Sequence, residues 1–312
     1  MKNNNKNQDL VTIVTVTYNA EDLLEETILS ILNQSYKNIE YIIIDGASND
    51  GTIDIIKKDE NKINYWRSEP DEGIYYAMNK AIEKATGKWI NFMNAGDTFF
   101  NIDTISNIIR HKDEDSKLVY GNCQIDSRIN KPHDLSRYDN ITSICHQTVF
   151  VRTDLMKNTP FDTKYKISAD HDFILKMFQN KKKFQYLDEP IANYLLNGLS
   201  DTESLRLYIE GINILFTNNV PENDILISPW YKDLKKSIST TKENHTNVLQ
   251  EEINNKEKII QEKELQSKQL FTLLNSVQTI TSYSVWKQPL KKYKAYQSML
   301  RTYENLKESG DK

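Results

Sequence analysis

The chain has 312 residues, more than the about 100–200 of a single domain, which predicts one large domain with an appendage. Hydrophobic residues make up 38%, charged residues 27%, and nine residues are glycine, so the composition excludes overall disorder and a collagen-like protein. The net charge of −4 excludes a global attraction for nucleic acid. Two cysteines, Cys123 and Cys145, are too few for a disulfide framework or a thiolate-based zinc site.

The amino-terminal residues 1–9 are polar, and we expect them to be disordered. The longest apolar runs are stretches such as Tyr41–Ile44, far below the roughly 20 residues that span a bilayer. We therefore expect a cytoplasmic protein. A peripheral position on the inner face of the cell membrane stays open.

Strand-like and helix-like patterns alternate over the first hundred residues. β-Branched residues predict a strand over Leu10–Val16, and a continuous apolar run predicts a buried strand over Ile39–Ile44. The other elements predicted here are a helix with apolar positions from Leu24 to Leu32, a helix at Thr52–Lys58, a strand at Ile63–Arg67, a helix from Ile74 closed by Gly87, and a strand at Lys88–Met93. The alternation predicts an α/β fold with a mainly parallel sheet flanked by helices.

The pattern stays mixed until about Tyr194 and becomes helical after Asp201. The elements predicted in the mixed part are strands at Leu118–Tyr120, Thr148–Val151 and Phe184–Leu187 and a helix at Asp170–Gln179. We expect one large domain over 10–222 and a helical extension over 223–312. Some apolar positions of the extension fit a heptad, so a self-associating coiled coil and a solvated, packed helix both stay open.

Polar loops follow four of the predicted strands. In open α/β sheets, ligands bind outside the carboxyl ends of the strands. The loops at these ends are Thr17–Asn19, Asp45–Thr52, Ser68–Gly73 and Asn94–Asp97. Four loops rich in Asp, Asn, Ser and Gly on one sheet edge indicate a polar, hydroxyl-rich ligand.

Several acidic residues are candidates for the chemistry. Asp45 can accept hydrogen bonds from a ribose hydroxyl or a base N–H, or it can simply start a turn. Asp97 can supply a carboxylate to a cation, or cap the segment that follows. Asp170 and Asp172 open a helix and cannot both face one way, so one of them is expected to serve the helix terminus and the other to point into the site. His146 either steadies a phosphate or belongs to a core network.

Taken in order, the loops resemble the inverting family 2 glycosyltransferases, which have a GT-A fold. The resemblance runs from about Val11 to Ser200. It rests on Val16–Asn19, Ser30–Tyr36, Asp45–Thr52, Glu69–Lys80, Phe92–Asp97, His146–Phe150, Ser168–Phe173 and Asn197–Ser200.

The resemblance implies a GT-A-like catalytic domain that transfers a sugar, expected to be UDP-linked, from a nucleotide sugar to an acceptor hydroxyl with inversion. It makes Asp170 the base that deprotonates the acceptor, and it places His146 and Gln147 on the acceptor or diphosphate side. The residues it assigns to the nucleotide sugar are Thr17, Tyr18, Asn19, Asp45, Asp71, Asn94 and Asp97.

The metal loop departs from the family pattern of Asp-X-Asp followed by Asp. Asn94 and Gly96 stand at its acidic positions, which leaves Asp97 as the expected ligand of Mn²⁺ or Mg²⁺. The sequence therefore leaves three alternatives open: the cation is bound less firmly than in the family, it is held mostly by phosphate, or Asn94 helps to hold it.

The resemblance implies a role in bacterial cell-surface polysaccharide or glycoconjugate synthesis, with a saccharide or lipid-linked saccharide as acceptor. The segment 282–301 has a local charge of +5 and interleaved aromatic residues, typical of an element at an anionic membrane surface or of a docked helix with a basic face. A nucleotidyltransferase and a non-catalytic carbohydrate-binding scaffold remain the alternative functions. The first would be expected to carry a basic, Gly-rich triphosphate loop, which Thr17–Asp22 lacks.

Overall fold

The structure is a computed structural model that describes residues 8–133, 135, 138–196, 198 and 202–244. The chain divides into two compact units, with the boundary between Thr202 and Glu203. Within the described ranges, no helix is both long enough and apolar enough to cross a membrane. The heptad-like positions and the basic segment 282–301 lie outside the described residues.

The first hundred residues alternate between strand and helix, as predicted. The strands are β1 (Val11–Thr17), β2 (Ile39–Asp45), β3 (Tyr65–Ser68) and β4 (Trp89–Phe92), and the helices are α1 (Leu24–Leu32), α2 (Thr52–Lys58) and α3 (Ile74–Lys84). The four strands are parallel and lie in the order β3-β2-β1-β4. Thr17 lies opposite Asp45, and Asp45 lies opposite Ser68, so the loops that follow these strands leave from one edge of the sheet.

The remaining strands of the first unit run in both directions. The strands are β5 (Thr98–Phe99), β6 (Leu118–Ile125), β7 (Arg128–Asn130), β8 (Phe150–Arg152) and β9 (Phe184–Tyr194), and the helices are α4 (Thr104–His111), α5 (Thr153–Asn158) and α6 (Ala169–Gln179). From β4 the sheet continues as β8-β6-β9-β5, with β7 paired to β6. Strand β8 is antiparallel to β4, so the residues before β8 lie at the same edge as the residues after β4.

The core of the first unit lies on both faces of the parallel strands. All seven residues of β1 are buried. Val11 and Ile13 share one apolar cluster with Leu24 and Ile28 of α1. Side chains alternate along a strand, so Val14 is directed to the opposite face. Burying each such side chain stabilises the fold by about 1.5–3 kcal/mol. Because β1 is buried on both faces of the sheet, its sequence is continuously β-branched and apolar instead of alternating.

Helix α3 ends earlier than the sequence predicts. It closes at Lys84, so Gly87 is not the residue that follows its carboxyl end. The Gly87 N–H donates to Thr12 Oγ1 at 3.0 Å, and a Cβ at this position would lie only 2.5 Å from the same oxygen. Glycine is required at position 87 by this close approach to β1.

Strand β9 is longer than the predicted Phe184–Leu187, although Pro190 interrupts it. Proline cannot donate to a sheet ladder and is tolerated in strands at edges or bulges. Here the pairing of β6 with β9 shifts register around Asn122, which lies opposite Pro190. A Cβ at Gly121 would lie 2.6 Å from the carbonyl oxygen of Glu189, which explains the glycine beside the bulge.

Asp9 is held in place, contrary to the disorder predicted for residues 1–9. Its carboxylate pairs with Lys88 at 2.7 Å and with Lys112 at 3.0 Å, and it accepts a hydrogen bond from Trp89 Nε1 at 3.2 Å. Residues 1–7 lie outside the described part of the chain.

The second unit is helical in its described part, as predicted for the end of the chain. It contains α7 (Ser204–Thr217), α8 (Glu222–Ile227) and α9 (Pro229–Asn244). A Cβ at Gly211 of α7 would lie 2.1 Å from the ring of Trp230 in α9, so the glycine allows the two helices to approach closely. The domain boundary expected at residue 222 stays a prediction.

Candidate active site

The loops after β1 and β2 are joined by hydrogen bonds. The Asn19 N–H donates to Ser48 Oγ at 2.8 Å, and Asn19 Oδ1 accepts from the Asn49 N–H at 3.0 Å. Asn19 adopts a left-handed backbone with φ of 46°, a conformation that Asn tolerates better than most residues. The Ala20 N–H donates to Thr52 Oγ1 at 2.8 Å. These bonds fix the two loops as one polar wall at the sheet edge.

Asp45 braces this wall from inside. Its side chain is fully buried, and Oδ1 accepts from Ser48 Oγ at 2.5 Å. Oδ2 accepts from the Ser48 N–H at 3.0 Å and from Ser68 Oγ at 2.6 Å. A carboxylate has about four acceptor positions, so Asp45 holds two neighbouring loops and keeps capacity for one further donor. Asp45 therefore has a structural role that the hydrogen bonds show, and its ligand role stays a prediction.

Thr17 and Tyr18, in the loop after β1, have groups that a ligand could contact. Thr17 is buried, and its Oγ1 has no hydrogen-bond partner among the described residues. Tyr18 is 64% exposed. The Tyr18 ring lies beside Gly46, where a Cβ would come within 3.4 Å of it. An unpartnered hydroxyl next to an open aromatic ring suits a ligand with both polar groups and a flat face.

Asp71 lies in the loop after β3, within a network of charges. Lys80 Nζ pairs with Asp71 Oδ1 and, at 2.7 Å, with Glu69 Oε1. Glu69 Oε2 also accepts from Arg67 Nη2 at 2.5 Å. The Glu69 N–H donates to the Asp45 carbonyl at 3.0 Å, which ties this loop to the wall.

Asp97 is buried in the loop after β4, and both of its oxygens accept hydrogen bonds. Oδ2 accepts from Gln147 Nε2 at 2.8 Å, and Oδ1 accepts from the Leu195 N–H at 3.0 Å. Strand β5 follows directly, so Asp97 is not a helix cap. Gly96 has a φ of +100°, which only glycine adopts readily, and this allows the tight turn. The structure therefore brings together Asp97 and Gln147, which the sequence places 50 residues apart.

The donors of this loop fit a divalent cation only in part. Asn94 Oδ1 is a buried oxygen without a partner in the described part of the chain, and such an oxygen is a suitable ligand for Mg²⁺ or Mn²⁺. Asp97 supplies one carboxylate, and its two oxygens are already engaged. The described residues contain no group of three or more acidic, His or Cys side chains that could hold a metal. The residues thus fit a cation held mainly by phosphate oxygens of a ligand.

Asp170 lies at the centre of a second buried network. Its Oδ1 accepts from the Tyr75 hydroxyl at 2.6 Å and lies 3.5 Å from His171 Nδ1. Its Oδ2 lies 3.6 Å from His146 Nδ1, and His146 Nε2 lies 3.1 Å from Asn94 Nδ2. The side chain of Asp170 is 9% exposed and that of His146 is 26% exposed. Asp170 is therefore connected to the Asn94–Asp97 loop through a single imidazole ring.

The surroundings of Asp170 favour its charged form. Burial alone would raise the pKa of Asp170, but the charge and hydrogen bonding of His171, the charge of His146 and the Tyr75 hydroxyl together lower it well below its usual range. Burial also opposes the charged form of His171, yet the Asp170 carboxylate and the Thr142 backbone raise the pKa of the His171 imidazole. Asp170 also lies in the first turn of α6, where the helix terminus favours an anion.

Asp172 has a separate role. Although it is as deeply buried as Asp170, it pairs with Lys176 at 2.6 Å, one turn further along α6. The two carboxylates thus contact different partners: Asp172 pairs with Lys176 along the helix, and Asp170 lies in the network with Tyr75 and His146. The role of base predicted for Asp170 stays a prediction.

The Asp170–His171 pair is expected to make stability depend on pH in a defined direction. Asp170 contributes fully above its unfolded pKa of about 3.9 and loses this contribution as the pH falls. His171 contributes below its unfolded pKa of about 6.5 and loses this contribution as the pH rises through its raised pKa. Both contributions coexist from about pH 4 to about pH 6.5.

Urea unfolding at pH 5.5 and pH 8.5 (roughly either side of the ordinary histidine pKa) tests this pair. Between these two pH values, the free energy of unfolding should fall more for the wild type than for Asp170→Asn, because His171 has lost its partner carboxylate in that variant. His171→Gln should reduce the same pH dependence. Equal pH dependence in all three proteins would contradict a stabilising pair.

Several side chains of the site belong to the sequence motifs, but the sequence does not indicate their role. Ser48, Ser68, Tyr75, Lys80 and His171 all contact a predicted site residue. For Ser68 the available signal was its position at the end of a strand. For Tyr75 and His171 the sequence offered only their neighbours in a motif, because their partners lie far away along the chain.

Comparisons with known proteins show the family of this chain. The family model described as glycosyl transferase family 2 matches residues 12–176, more than half of the chain. The PGL/p-HBAD biosynthesis glycosyltransferase of Mycobacterium bovis BCG is 28% identical over 240 residues, which is 73% of this chain and 94% of that protein. The putative teichuronic acid biosynthesis glycosyltransferase TuaG of Bacillus subtilis is 40% identical over 91 residues, 28% of this chain and 36% of that protein.

Two solved structures have a similar fold. Staphylococcus aureus TarS 1–349 in complex with UDP-GlcNAc has a TM-score of 0.61 at 17% identity, over 95% of this chain and 91% of that one. The mannosyltransferase PcManGT from Pyrobaculum calidifontis, in complex with GDP-Man and Mn²⁺, has a TM-score of 0.55 at 15% identity, over 84% and 83%. They confirm the expected mixed, mainly parallel GT-A-like sheet flanked by helices. From the match of the family model over residues 12–176, the chain belongs to glycosyl transferase family 2.

Proposed function

We propose that this glycosyltransferase moves a sugar from a nucleoside-diphosphate sugar to an acceptor hydroxyl, with inversion at the anomeric carbon. The observation that carries the proposal is the network from Asp170 through His146 to Asn94, which links a buried carboxylate to the loop that holds Asp97. Transfer with inversion needs a base near the acceptor and a stabilised leaving group on the other side of the same carbon. The relatives that are named glycosyltransferases support the reaction class.

The donor is placed along the sheet edge. Strands β3, β2, β1 and β4 are neighbours, and successive strands lie about 4.8 Å apart, so the edge from β3 to β4 spans about 14 Å. We assign the nucleoside to the β3-β2-β1 end, with Thr17, Tyr18, Asn19, Asp45 and Asp71, and the diphosphate to the β4 end, with Asn94 and Asp97. The UDP-GlcNAc complex of TarS supports a UDP-linked donor.

Asp170 acts as the general base. As the acceptor oxygen forms its bond to the anomeric carbon, the acceptor proton passes to an Asp170 oxygen, and the bond from carbon to the diphosphate oxygen breaks. The base needs to lie within about 2.6–3.2 Å of the acceptor hydroxyl. Tyr75 donates to one oxygen of Asp170, and His171 lies beside the same oxygen. We assign His146 and Gln147 to the acceptor or diphosphate side. Holding donor and acceptor in line contributes up to about 7–11 kcal/mol.

The leaving diphosphate requires compensation for its charge. When bound, Mg²⁺ or Mn²⁺ supplies charge neutralisation to the diphosphate. Asn94 Oδ1 and the Asp97 carboxylate are the groups of this chain that would hold the cation, together with phosphate oxygens. The Mn²⁺ complex of PcManGT supports a cation in this fold, and the shortage of carboxylates among the described residues supports weak binding.

The names of two relatives support a proposal for the biological setting. Their names connect them with PGL/p-HBAD and teichuronic acid biosynthesis, which supports a cell-surface polysaccharide or glycoconjugate as product and a saccharide or lipid-linked saccharide as acceptor. We propose a cytoplasmic location, peripheral to the membrane through 282–301, and self-association through the carboxyl-terminal helices. Family membership favours glycosyl transfer over the nucleotidyl transfer and scaffold alternatives.

Donor hydrolysis without acceptor tests the proposal. Full-length protein is incubated with UDP-, GDP- and dTDP-sugars and Mn²⁺, and the freed sugar is followed by ¹H NMR. We expect slow release from one donor class, with an α-linked donor giving the β anomer first. First release of the α anomer would contradict inversion, and a protein that neither binds nor cleaves any of these donors would contradict the proposed activity.

A further inference from the structure

We infer that Asp71 selects the nucleobase of the donor and that Lys80 is the positioning residue that makes this selection strict. The base taken would carry a ring N–H, as uracil, thymine and guanine do, and cytosine would be rejected. The inference rests on the proposed function, because it concerns the donor site of that reaction.

The first observation is an unsatisfied carboxylate oxygen. The side chain of Asp71 is 6% exposed, and its Oδ2 has no hydrogen-bond partner in the part of the chain that the structure describes. A buried acceptor left unpaired costs about 1–3 kcal/mol, which an N–H donor of a ligand would recover. The carboxylate of Asp45, by contrast, already accepts three hydrogen bonds. Asp71 is thus largely shielded from water and keeps more acceptor capacity than the Asp45 carboxylate.

The second observation is the fixed orientation of Asp71. Lys80 Nζ holds Asp71 Oδ1 and at the same time Glu69 Oε1, and Arg67 holds the other oxygen of Glu69. Partial burial opposes the charge of Lys80, but its bonds to Asp71 and Glu69 raise its pKa, so it stays a cation. Because Lys80 is shared by two carboxylates, it restrains the orientation of Asp71 and with it the direction of Oδ2.

The third observation is location. Ser68 is the last residue of β3 and donates to Asp45, and Asp71 follows three residues later. The end of β3, where Asp71 lies, is separated from the Asn94–Asp97 loop by strands β2 and β1. If the diphosphate lies at the Asn94–Asp97 loop, the nucleobase lies at the end of β3, close to Asp71.

A carboxylate accepts hydrogen bonds and cannot donate them. It matches the N3–H of uracil or thymine and the N1–H of guanine. Cytosine presents a lone pair at N3, which a fixed carboxylate repels. An amide can accept from one base and donate to the other, so Asp71→Asn is expected to remove the discrimination without removing the side chain.

Calorimetric titration of full-length protein with UDP and CDP, in the presence of Mg²⁺, tests this inference. For the wild type we expect UDP to bind at least about tenfold more tightly than CDP. For Asp71→Asn the two affinities should come within about threefold of each other, through weaker UDP binding and unchanged or tighter CDP binding. Lys80→Met keeps the Asp71 carboxylate but removes the lysine that orients it, so the ratio of UDP to CDP affinity should also decrease.

Lys183→Met is the matched control, because Lys183 also bridges two carboxylates, Asp113 and Asp115, away from the site. It should leave the ratio of UDP to CDP affinity unchanged. Equal binding of UDP and CDP by the wild type, or equal weakening of both by Asp71→Asn, would overturn the inference and leave the proposed transfer intact. Binding of neither nucleotide would overturn both.

Discussion

Replacing Asp170 by Asn is expected to reduce donor turnover by about 10²–10⁴-fold, the range that a positioned general base contributes. Asn preserves the shape of the side chain and can still accept the hydrogen bond from Tyr75, but it cannot take a proton from the acceptor. Donor affinity should change little, because the nucleoside is assigned to the opposite end of the edge. Initial rates of sugar release and calorimetric binding of UDP measure the two quantities.

Asp172→Asn provides a matched control for Asp170→Asn. It removes a buried charge two residues further along the same helix, but there the carboxylate pairs with Lys176 instead of the site network. We expect this variant to lose stability by about 1–3 kcal/mol and to retain donor turnover within a few fold. Full activity of Asp170→Asn, or equal loss in both variants, would remove Asp170 from the proposed role as base.

Replacing Asp97 by Asn should lower donor turnover by about 10²-fold while leaving the fold intact. The introduced amide can accept from the Leu195 N–H through its oxygen. Its NH₂ group can donate to Gln147 once the Gln147 amide has turned to present its oxygen. The hydrogen bonds are thereby kept and the negative charge is lost. Thermal unfolding and rates of donor cleavage separate the two effects.

The double variant Asp97→Asn/Gln147→Glu sharpens this experiment. It restores a carboxylate and an amide in the same hydrogen-bonded pair, but moves the charge to residue 147. We expect activity to stay low if a carboxylate is needed at position 97 itself. Recovery to near the wild-type rate would instead mean that the net charge of the pair is sufficient, and would argue against Asp97 as a ligand of the cation.

The first half of the fold could be predicted from the sequence because its signals are local. The β-branched run of β1 and the apolar run of β2 mark buried strands wherever they occur. The helix boundaries Thr52 and Lys58 coincide with those observed. Parallel strands bring their carboxyl ends to one edge, so the sequence alone predicts that Thr17 and Asp45 lie close together.

The second half depends on contacts that the sequence does not show locally. Strand β5 has two residues and carries no periodic pattern. Strand β9 passes Pro190, which by itself argues against a strand and is tolerated only because β6 shifts its register opposite. Gly87 fitted a helix end by composition, but its reason is its approach to Thr12.

The candidate site shows the same division. A motif can place Asp170 at the start of a helix, but it cannot show that Tyr75 and His146 reach it from other elements. For Asp45, the sequence leaves a ligand role and a turn role open, and in the structure the carboxylate accepts hydrogen bonds from two loops. Partners that are distant along the chain decide which carboxylates remain available to a ligand.

The reversed direction of β8 has a consequence for how such an enzyme can diversify. The groups assigned to the nucleotide come from one uninterrupted stretch of chain that ends at Asp97. His146 and Gln147, which we assign to the acceptor or diphosphate side, come from the stretch that leads into β8. Insertions or substitutions upstream of His146 can therefore change the acceptor side for a new acceptor, while the nucleotide-binding loops after β1 to β4 stay unchanged. Libraries that vary this connection alone would be a direct route to altered linkage chemistry.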